Sequence, residues 1–406
     1  MKLAILTPGF MPVPAVKGGA VEQLIEDIII ANESNHKYDI DVYTIDDPKL
    51  KDIHYKYTNL IKVIPNKNNK LVKYFYFALK AKFSLAIHSK NPFNYVNYAM
   101  VKKFKTNYYD KVLVENNMDI YSLLLPKLTK EKIYFHLHNN IDCDDPAKTV
   151  EKTKKVILTA DKILVVSNFL KHKLEKLGAK NVVVIPNAVV LKQFKEIDEK
   201  ERLKIRNKYG INKKDIVYTF VGRICDDKGI DKLILAMQAF KEKKNVKCLI
   251  IGNNFFGTKT EDNYIKYLQK ISKGIEAQLI FTGYIDNKKL YKIYNISNVV
   301  VIPSQWEEVF GVVALEAMAM RLPVIASKSG ALPDVLSESC AFFVPRGDDF
   351  VPQLENKMKK FIDNPKLQIE MGNEGYKRVR IFPNTSNEYF DLICKALNDR
   401  EIKNGR

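Results

Sequence analysis

Two carboxylates eight residues apart, Glu308 and Glu316, and two cations five apart, Arg223 and Lys228, are the side chains of this 406-residue sequence best placed to act together. Glu308 falls in Pro303-Ser304-Gln305-Trp306-Glu307-Glu308-Val309-Phe310-Gly311, where an apolar strand gives way to a polar, aromatic loop. A helix of small and apolar residues begins near Gly311, and its unpaired first N–H groups point at whatever occupies the loop. The helix dipole favours an anion there, so a diphosphate suits the position better than the carboxylates Glu307 and Glu308 do. Acids beside such a helix start work against stability, and local conflicts of this kind tend to mark function. Glu316 lies within an otherwise apolar helix, Val312–Met320, where a carboxylate needs a partner, either a pair of sugar hydroxyls or an internal salt bridge. Arg223 and Lys228 sit in the loop Val221-Gly222-Arg223-Ile224-Cys225-Asp226-Asp227-Lys228-Gly229. An Arg fork and a Lys point charge can clamp a diphosphate that gains charge as its bond to a sugar breaks. A solvated basic loop would read the same way.

Elements that position these groups alternate along the whole chain, short β-branched runs with helix-length amphipathic stretches, as in parallel sheets covered on both faces. Strands are expected at Lys2–Thr7, Asp39–Thr44, Lys111–Glu115, Ile133–His138, Lys162–Val166 and Val182–Pro186. A second set follows at Ile216–Gly222, Val246–Gly252, Gln278–Gly283, Val299–Pro303 and Pro323–Ser327. Pro186-Asn187-Ala188 and the polar stretch Lys192–Lys214 mark a boundary near residue 190. The expected organisation is a domain over 1–190 and another over 191–383. A last helix, Asn387–Asp399 within 384–406, packs back on the first. Doubly wound domains bind ligands at the C-terminal ends of their strands.

The net charge of +19, from 66 Lys and Arg against 47 Asp and Glu, attracts an anionic partner without naming it. Nucleic acid, an anionic membrane and a phosphate-bearing substrate all satisfy it, but no nucleic-acid motif is present. Five scattered cysteines without metal-ligand spacing suit a reducing compartment. The apolar run before Pro8 is too short for a signal peptide, and no segment is long enough to span a bilayer, so a cytoplasmic location is expected. Leu71, Phe75, Leu79, Phe83 and Ile87, ringed by Lys70, Lys73, Lys80, Lys82 and Lys90, read as a basic amphipathic helix. It is either an ordinary core helix with a lysine face or a support for peripheral association with an anionic membrane. Asp39-Ile40-Asp41 and Asp142-Cys143-Asp144 spell Asp-x-Asp by chance. Gly252 and Gly257 lack the G-x-G-x-x-G spacing of a dinucleotide-dependent dehydrogenase.

The span Glu308–Glu316, with Phe310-Gly311 after the first Glu and Pro303-Ser304 and Trp306 before it, resembles the Glu-x7-Glu motif of the retaining GT-B glycosyltransferases of family 4. Gly222-Arg223, Lys228-Gly229, Ile251-Gly252, Thr282-Gly283-Tyr284 and Ser329-Gly330-Ala331-Leu332-Pro333-Asp334 follow in that family's order. The resemblance spans nearly the whole chain and is most specific over 217–340. It implies two Rossmann-like, doubly wound parallel-sheet domains facing an interdomain cleft. It also implies transfer of a hexose or N-acetylhexosamine from a nucleotide-diphosphate sugar, UDP-linked by preference, to a saccharide or lipid-linked acceptor. No cofactor and no metal are implied.

By the same resemblance Arg223 and Lys228 bind phosphate, Glu308 faces the transferred sugar and Glu316 holds the ribose. The amides of Phe310, Gly311, Val312 and Val313 contact sugar and diphosphate. Gly222 and Gly252 shape the donor loops, and Tyr284 and Ile285 flank the base. Gly18-Gly19 matches a glycine loop that approaches the diphosphate, although by itself it reads as a flexible loop tip. His138, preferred over His136 on the same strand face, matches a histidine that faces the donor sugar. His136, Glu115, Asn116 and Asn139 are candidates on the acceptor side. Pro186-Asn187-Ala188-Val189-Val190 departs from the family's usual Pro-Asn-Gly-Val-Asp crossover. The implied mechanism is front-face: the acceptor hydroxyl enters on the side the diphosphate leaves, and a departing phosphate oxygen takes its proton. Rival readings are a sugar-nucleotide epimerase, a phosphorylase, or a basic nucleic-acid- or membrane-binding protein.

Overall fold

The structure is a computed structural model that describes residues 1–64, 95–141, 146–252 and 259–398. The basic amphipathic stretch over 70–90, Asp142–Asp144 and Gly257 therefore lie outside the described residues.

Seven parallel strands form the first sheet: β1 (Lys2–Leu6), β2 (Asp39–Ile45), β3 (Thr58–Val63), β4 (Lys111–Glu115), β5 (Lys132–Leu137), β6 (Lys162–Val165) and β7 (Val182–Val184). Their order is β3-β2-β1-β4-β5-β6-β7. Six more form the second: β8 (Ile216–Val221), β9 (Val246–Ile251), β10 (Leu279–Gly283), β11 (Val299–Ile302), β12 (Val324–Ser327) and β13 (Ala341–Val344), in the order β10-β9-β8-β11-β12-β13. The central strands are continuous apolar runs because helices cover both faces. Leu3 through Leu6 and Val299 through Val301 are fully buried. β3 and β13, which the sequence reading lacks, are both edge strands with partly exposed residues.

The chain divides into two compact units. One comprises Met1–Leu164, Leu174–Val183 and the residues from Phe390 on; the other comprises Val165–Lys173 and Val184–Tyr389. The last helix, Ser386–Asn398, ends in the first unit. Its terminal carbonyls, which have no partners within the helix, are taken up there. Lys111 Nζ and Tyr134 Oη each donate to Leu397 O at 2.8 Å, and Lys162 Nζ donates to Ala396 O at 2.9 Å. Among the described residues no helix is long and apolar enough to cross a membrane, and Cys225, Cys248, Cys340 and Cys394 are free thiols.

In each sheet the direction of winding reverses once, between β1 and β4 and between β8 and β11. A crevice for ligands opens beyond the strand C-termini at such a point. The loops leaving β8 and β11 are those that carry Lys228 and Glu308.

Candidate active site

In the second unit the two loops meet. Lys228 Nζ donates to Glu308 Oε1 at 2.6 Å and lies 4.7 Å from the centre of the Trp306 ring. Ser304 Oγ donates to the same carboxylate oxygen at 2.6 Å. Glu308 is buried, which alone would raise its pKa, but the charge and hydrogen bonds of Lys228, with Ser304, outweigh burial and hold the carboxyl below its ordinary value. The acid near a helix start is therefore not a bare conflict, as its sequence context suggests, because it is ion-paired inside the fold. Glu307 is neutralised too: Arg346 Nη2 donates to its Oε1, and Gly330 N donates to its Oε2 at 2.6 Å.

Ser329-Gly330-Ala331 braces this loop. Ala331 N donates to Glu308 O at 2.7 Å, Glu308 N donates to Ser329 Oγ at 3.3 Å, and Ser329 Oγ donates to Trp306 O. Gly330 has φ 52°, and a Cβ there would stand 2.0 Å from Glu308 O. Gly330→Ala is accordingly expected to destabilise the fold by more than about 2 kcal/mol, read as a fall in Tm, and to impair transfer by displacing Glu308. An unchanged melting curve would show that the brace gives way at no cost.

The helix Val312–Ala319 starts at Gly311 with no side chain capping its first amides; Ala314 N donates to Gly311 O at 2.9 Å, which leaves the N–H groups of Val312 and Val313 for an anion. Phe310 is buried edge-on against Phe382, with ring centres 5.9 Å apart. Glu316, on this helix, takes a hydrogen bond from Tyr294 Oη at 2.5 Å. The two partners expected for it were sugar hydroxyls or a basic side chain; what the fold provides is a phenol. Burial raises the Glu316 carboxyl to about 7, an effect the Tyr294 bond only partly offsets. Arg223 stands exposed past the end of β8, and Gly222 and Gly252 directly follow β8 and β9. Tyr284 and Ile285 follow β10, with Tyr284 exposed.

The first unit assembles a second group. Gly18 and Gly19 have φ 81° and 102°, and Gly19 leads into the helix Ala20–Asn35. At φ 102° a residue with a Cβ is strained, so Gly19 suits the backbone here, although the nearest atom such a Cβ would meet is the movable end of the Glu22 side chain. Glu22 is buried, and its carboxyl is raised to about 7 by burial and, to a smaller extent, by the charge of Glu115. Glu115 closes β4 beside His136 on β5. His136 Nδ1 and His138 Nε2 lie 3.2 and 2.8 Å from Glu115 Oε2, and the two rings are 4.0 Å apart, as strand alternation implies. Burial would raise Glu115, yet the charge of His136 and the two imidazole hydrogen bonds hold it down at about 2. Burial, helped by the charge of His136 and opposed by Glu115, lowers His138 to about 4. Asn116, with φ 52°, accepts the backbone N–H groups of His138 and Asn139 at 2.9 and 3.1 Å. Asn139 itself is exposed.

Among the described residues only Glu115, His136 and His138 bring ligand atoms close enough to share a metal ion, within 4.8 Å of one another. A ligating imidazole ordinarily donates its other N–H to an orienting partner, whereas His136 Nε2 is buried without one. The group fits a hydrogen-bonded network better than a metal centre.

Sequence reasoning passed over Ser304, Tyr294, Arg346 and Glu22. Ser304 lies inside a quoted motif and was within reach. Tyr294 and Arg346 carry no local signal, because each meets its partner only through the sheet topology.

Residues 201–378 match the family model described as glycosyl transferases group 1. The lipopolysaccharide 1,2-N-acetylglucosaminetransferase of Salmonella typhimurium is 30% identical over 229 residues, covering 55% of this chain and 56% of that one. The spore coat protein SA of Bacillus subtilis is 25% identical over 93% of this chain and 97% of its own length. The chain thus spans just over half the length of the first of these relatives and nearly all of the second. Among solved structures, Anabaena HepE in complex with UDP and glucose superposes with a TM-score of 0.74 at 17% identity, covering 98% of this chain and 100% of that one. Sucrose-phosphate synthase from Thermosynechococcus elongatus gives 0.72 at 20% identity, with 97% and 98% covered. The fold is GT-B, with two parallel-sheet α/β domains, and the family match and the named relatives support a glycosyltransferase.

Proposed function

We propose that this glycosyltransferase moves a hexose or N-acetylhexosamine from a nucleotide-diphosphate sugar, UDP-linked by preference, to a saccharide or lipid-linked acceptor in cell-surface polysaccharide synthesis. The observation that carries the reading is the Lys228–Glu308 pair beside the uncapped amino end of the helix Val312–Ala319. Cation and free amides suit a leaving diphosphate, and the adjoining carboxylate suits the hydroxyls of the sugar. Support for the substrate class comes from relatives named for lipopolysaccharide and capsular polysaccharide synthesis and from the HepE complex with UDP and glucose.

In this reading the anomeric configuration is retained. The acceptor oxygen forms its bond to the anomeric carbon on the face from which the diphosphate departs. The anomeric carbon–phosphate oxygen bond breaks, and the acceptor proton passes to the departing phosphate oxygen. Arg223, Lys228 and the helix amides stabilise the charge that develops, without a metal ion. Lys228 has to share its ammonium between Glu308 and the phosphate. Glu316 holds the ribose, Tyr284 and Ile285 flank the base, and His138 contacts the sugar. Peripheral association with an anionic membrane belongs to the same proposal and is read by vesicle co-sedimentation at low salt.

A thermal-shift panel of UDP, GDP and ADP sugars on the full chain tests the donor class, with stabilisation expected from UDP sugars above the others. NMR of the linkage formed by the best donor reads the configuration. An inverted product would refute retention, and a flat panel would refute nucleotide-sugar use.

A further inference from the structure

His136 and His138 direct two ring nitrogens at the one carboxylate of Glu115: His136 Nδ1 meets Oε1 at 3.4 Å and His138 Nε2 meets Oε2 at 2.8 Å. An ionised carboxylate only accepts hydrogen bonds, so each of those nitrogens carries the hydrogen, and in a neutral imidazole the opposite nitrogen is then a bare acceptor. The opposite nitrogen of His136, Nε2, is buried with no partner. For His138 it is Nδ1, and the only hydrogen bonds His138 makes among the described residues are its backbone N–H to Asn116 and Nε2 to Glu115. The ring cannot readily escape this state. Its side chain is 4% exposed, the carboxylate is 1% exposed, and Asn116 holds the backbone on either side of the turn. The group stands where the winding of the first sheet reverses, since Glu115 ends β4 next to β1.

We infer that Glu115 is a positioning residue that holds His138 in the Nε2–H tautomer, so that Nδ1 serves solely as an acceptor for a substrate hydroxyl. The chemistry follows from that lone pair. A sugar hydroxyl has a hydrogen to give it, whereas an ionised phosphate or a carbonyl oxygen has none. The same ring with Nδ1 protonated would favour the phosphate instead. The tautomer rests on geometry alone, and the identity of the hydroxyl rests on the sugar-transfer reading above.

The test uses the full chain labelled with 15N-histidine near pH 7.5, with ring nitrogens correlated to ring protons. The signals of His138 among the six histidines are those lost in His138→Asn. The expected spectrum shows Nε2 protonated and Nδ1 bare, with the Nδ1 signal moving when UDP-glucose or UDP-N-acetylglucosamine is added and staying in place with UDP alone. An Nδ1–H ring or an imidazolium overturns the inference whatever the enzyme transfers. A bare Nδ1 that ignores a nucleotide sugar shown by thermal shift to bind overturns the recognition role. If no nucleotide sugar binds at all, the sugar-transfer reading falls, while the tautomer is still decided by its own spectrum. In Glu115→Gln an amide offers one accepting and one donating group, so it cannot receive both rings, and one imidazole must change tautomer. Turnover is expected to fall about a hundredfold through misplacement of the sugar, with KM little changed and a visible change in the ring spectrum. Wild-type turnover with an unaltered spectrum overturns the inference, as does a stoichiometric metal ion that copurifies with the wild type and is lost in this variant.

Discussion

Lys228→Ala is expected to lower sugar transfer by about a thousandfold, the scale of removing one preorganised charge-stabilising donor, and to weaken UDP binding with it. It should also cost stability, for a reason separate from catalysis. Glu308 is buried and its carboxylate is paired with Lys228 at 2.6 Å. Removing one member of a buried ion pair leaves the other charge uncompensated, at about 3–5 kcal/mol in a closed interior. Lys228 keeps a fifth of its side-chain surface, at 19% exposure, and Ser304 still donates to the carboxylate. A loss somewhat below that range, about 2–3 kcal/mol, is therefore expected, seen as a drop in Tm. Removal of the stranded charge separates the two effects. In Lys228→Ala combined with Glu308→Gln the amide no longer needs a cation, so Tm should recover most of its loss while transfer remains absent. If the single variant bound UDP as tightly as wild type by calorimetry, the phosphate role of Lys228 would be wrong. If the double variant melted as low as the single, the ion pair would not be the source of the lost stability.

How much of this could be read from residues alone depends on how local each cause is. Interior strands such as Lys111–Glu115 coincide with their sequence limits because burial on both faces leaves uninterrupted apolar runs. Thr58–Val63 and Ala341–Val344 are edge strands, and a half-exposed edge needs no such run. In the site, Glu308, Lys228 and Glu316 stand out by type and spacing, but their partners do not. Lys228 reaches Glu308 across 80 positions, and Tyr294 reaches Glu316 across 22. The first pairing follows from β8 lying against β11, a fact of sheet order that no local pattern contains, and the second joins the helices before and after β11. The same distinction explains Gly330. Its place in a quoted motif was visible, while the need for glycine comes from the backbone of Glu308 arriving from a different strand.

Glu316→Gln is expected to make the unliganded protein more stable at pH 8 and worse at holding a nucleotide. The carboxyl rises from an ordinary 4.5 to about 7 in the folded chain through burial. Between those values the folded protein binds more protons than the unfolded chain, so stability falls as pH rises through the window and the full cost is present above pH 7. That cost is at most about 3 kcal/mol. Glutamine resembles the protonated acid and can still accept from Tyr294 Oη, so the gain in Tm over wild type should be near zero at pH 5 and grow to its maximum by pH 8. Glu22, also raised to about 7, contributes the same slope to both proteins and cancels in the difference. Glu115 and His138, whose folded values are depressed, have the opposite sign: their contributions are complete above 4.5 and 6.5 and are lost on acidification towards about 2 and about 4. They cancel as well. Binding should show the other side of the exchange. Two ribose hydroxyls donating to an ionised carboxylate make charge-assisted bonds of about 1.5–3 kcal/mol each, so the amide should bind UDP about ten- to a hundredfold more weakly. Wild-type affinity should strengthen between pH 6 and 8 as Glu316 ionises, and the variant should lose that dependence. A variant that gains stability at pH 8 yet binds UDP with the wild-type constant and the wild-type pH profile would leave Glu316 as a buried acid serving no ligand, and the ribose role would be refuted.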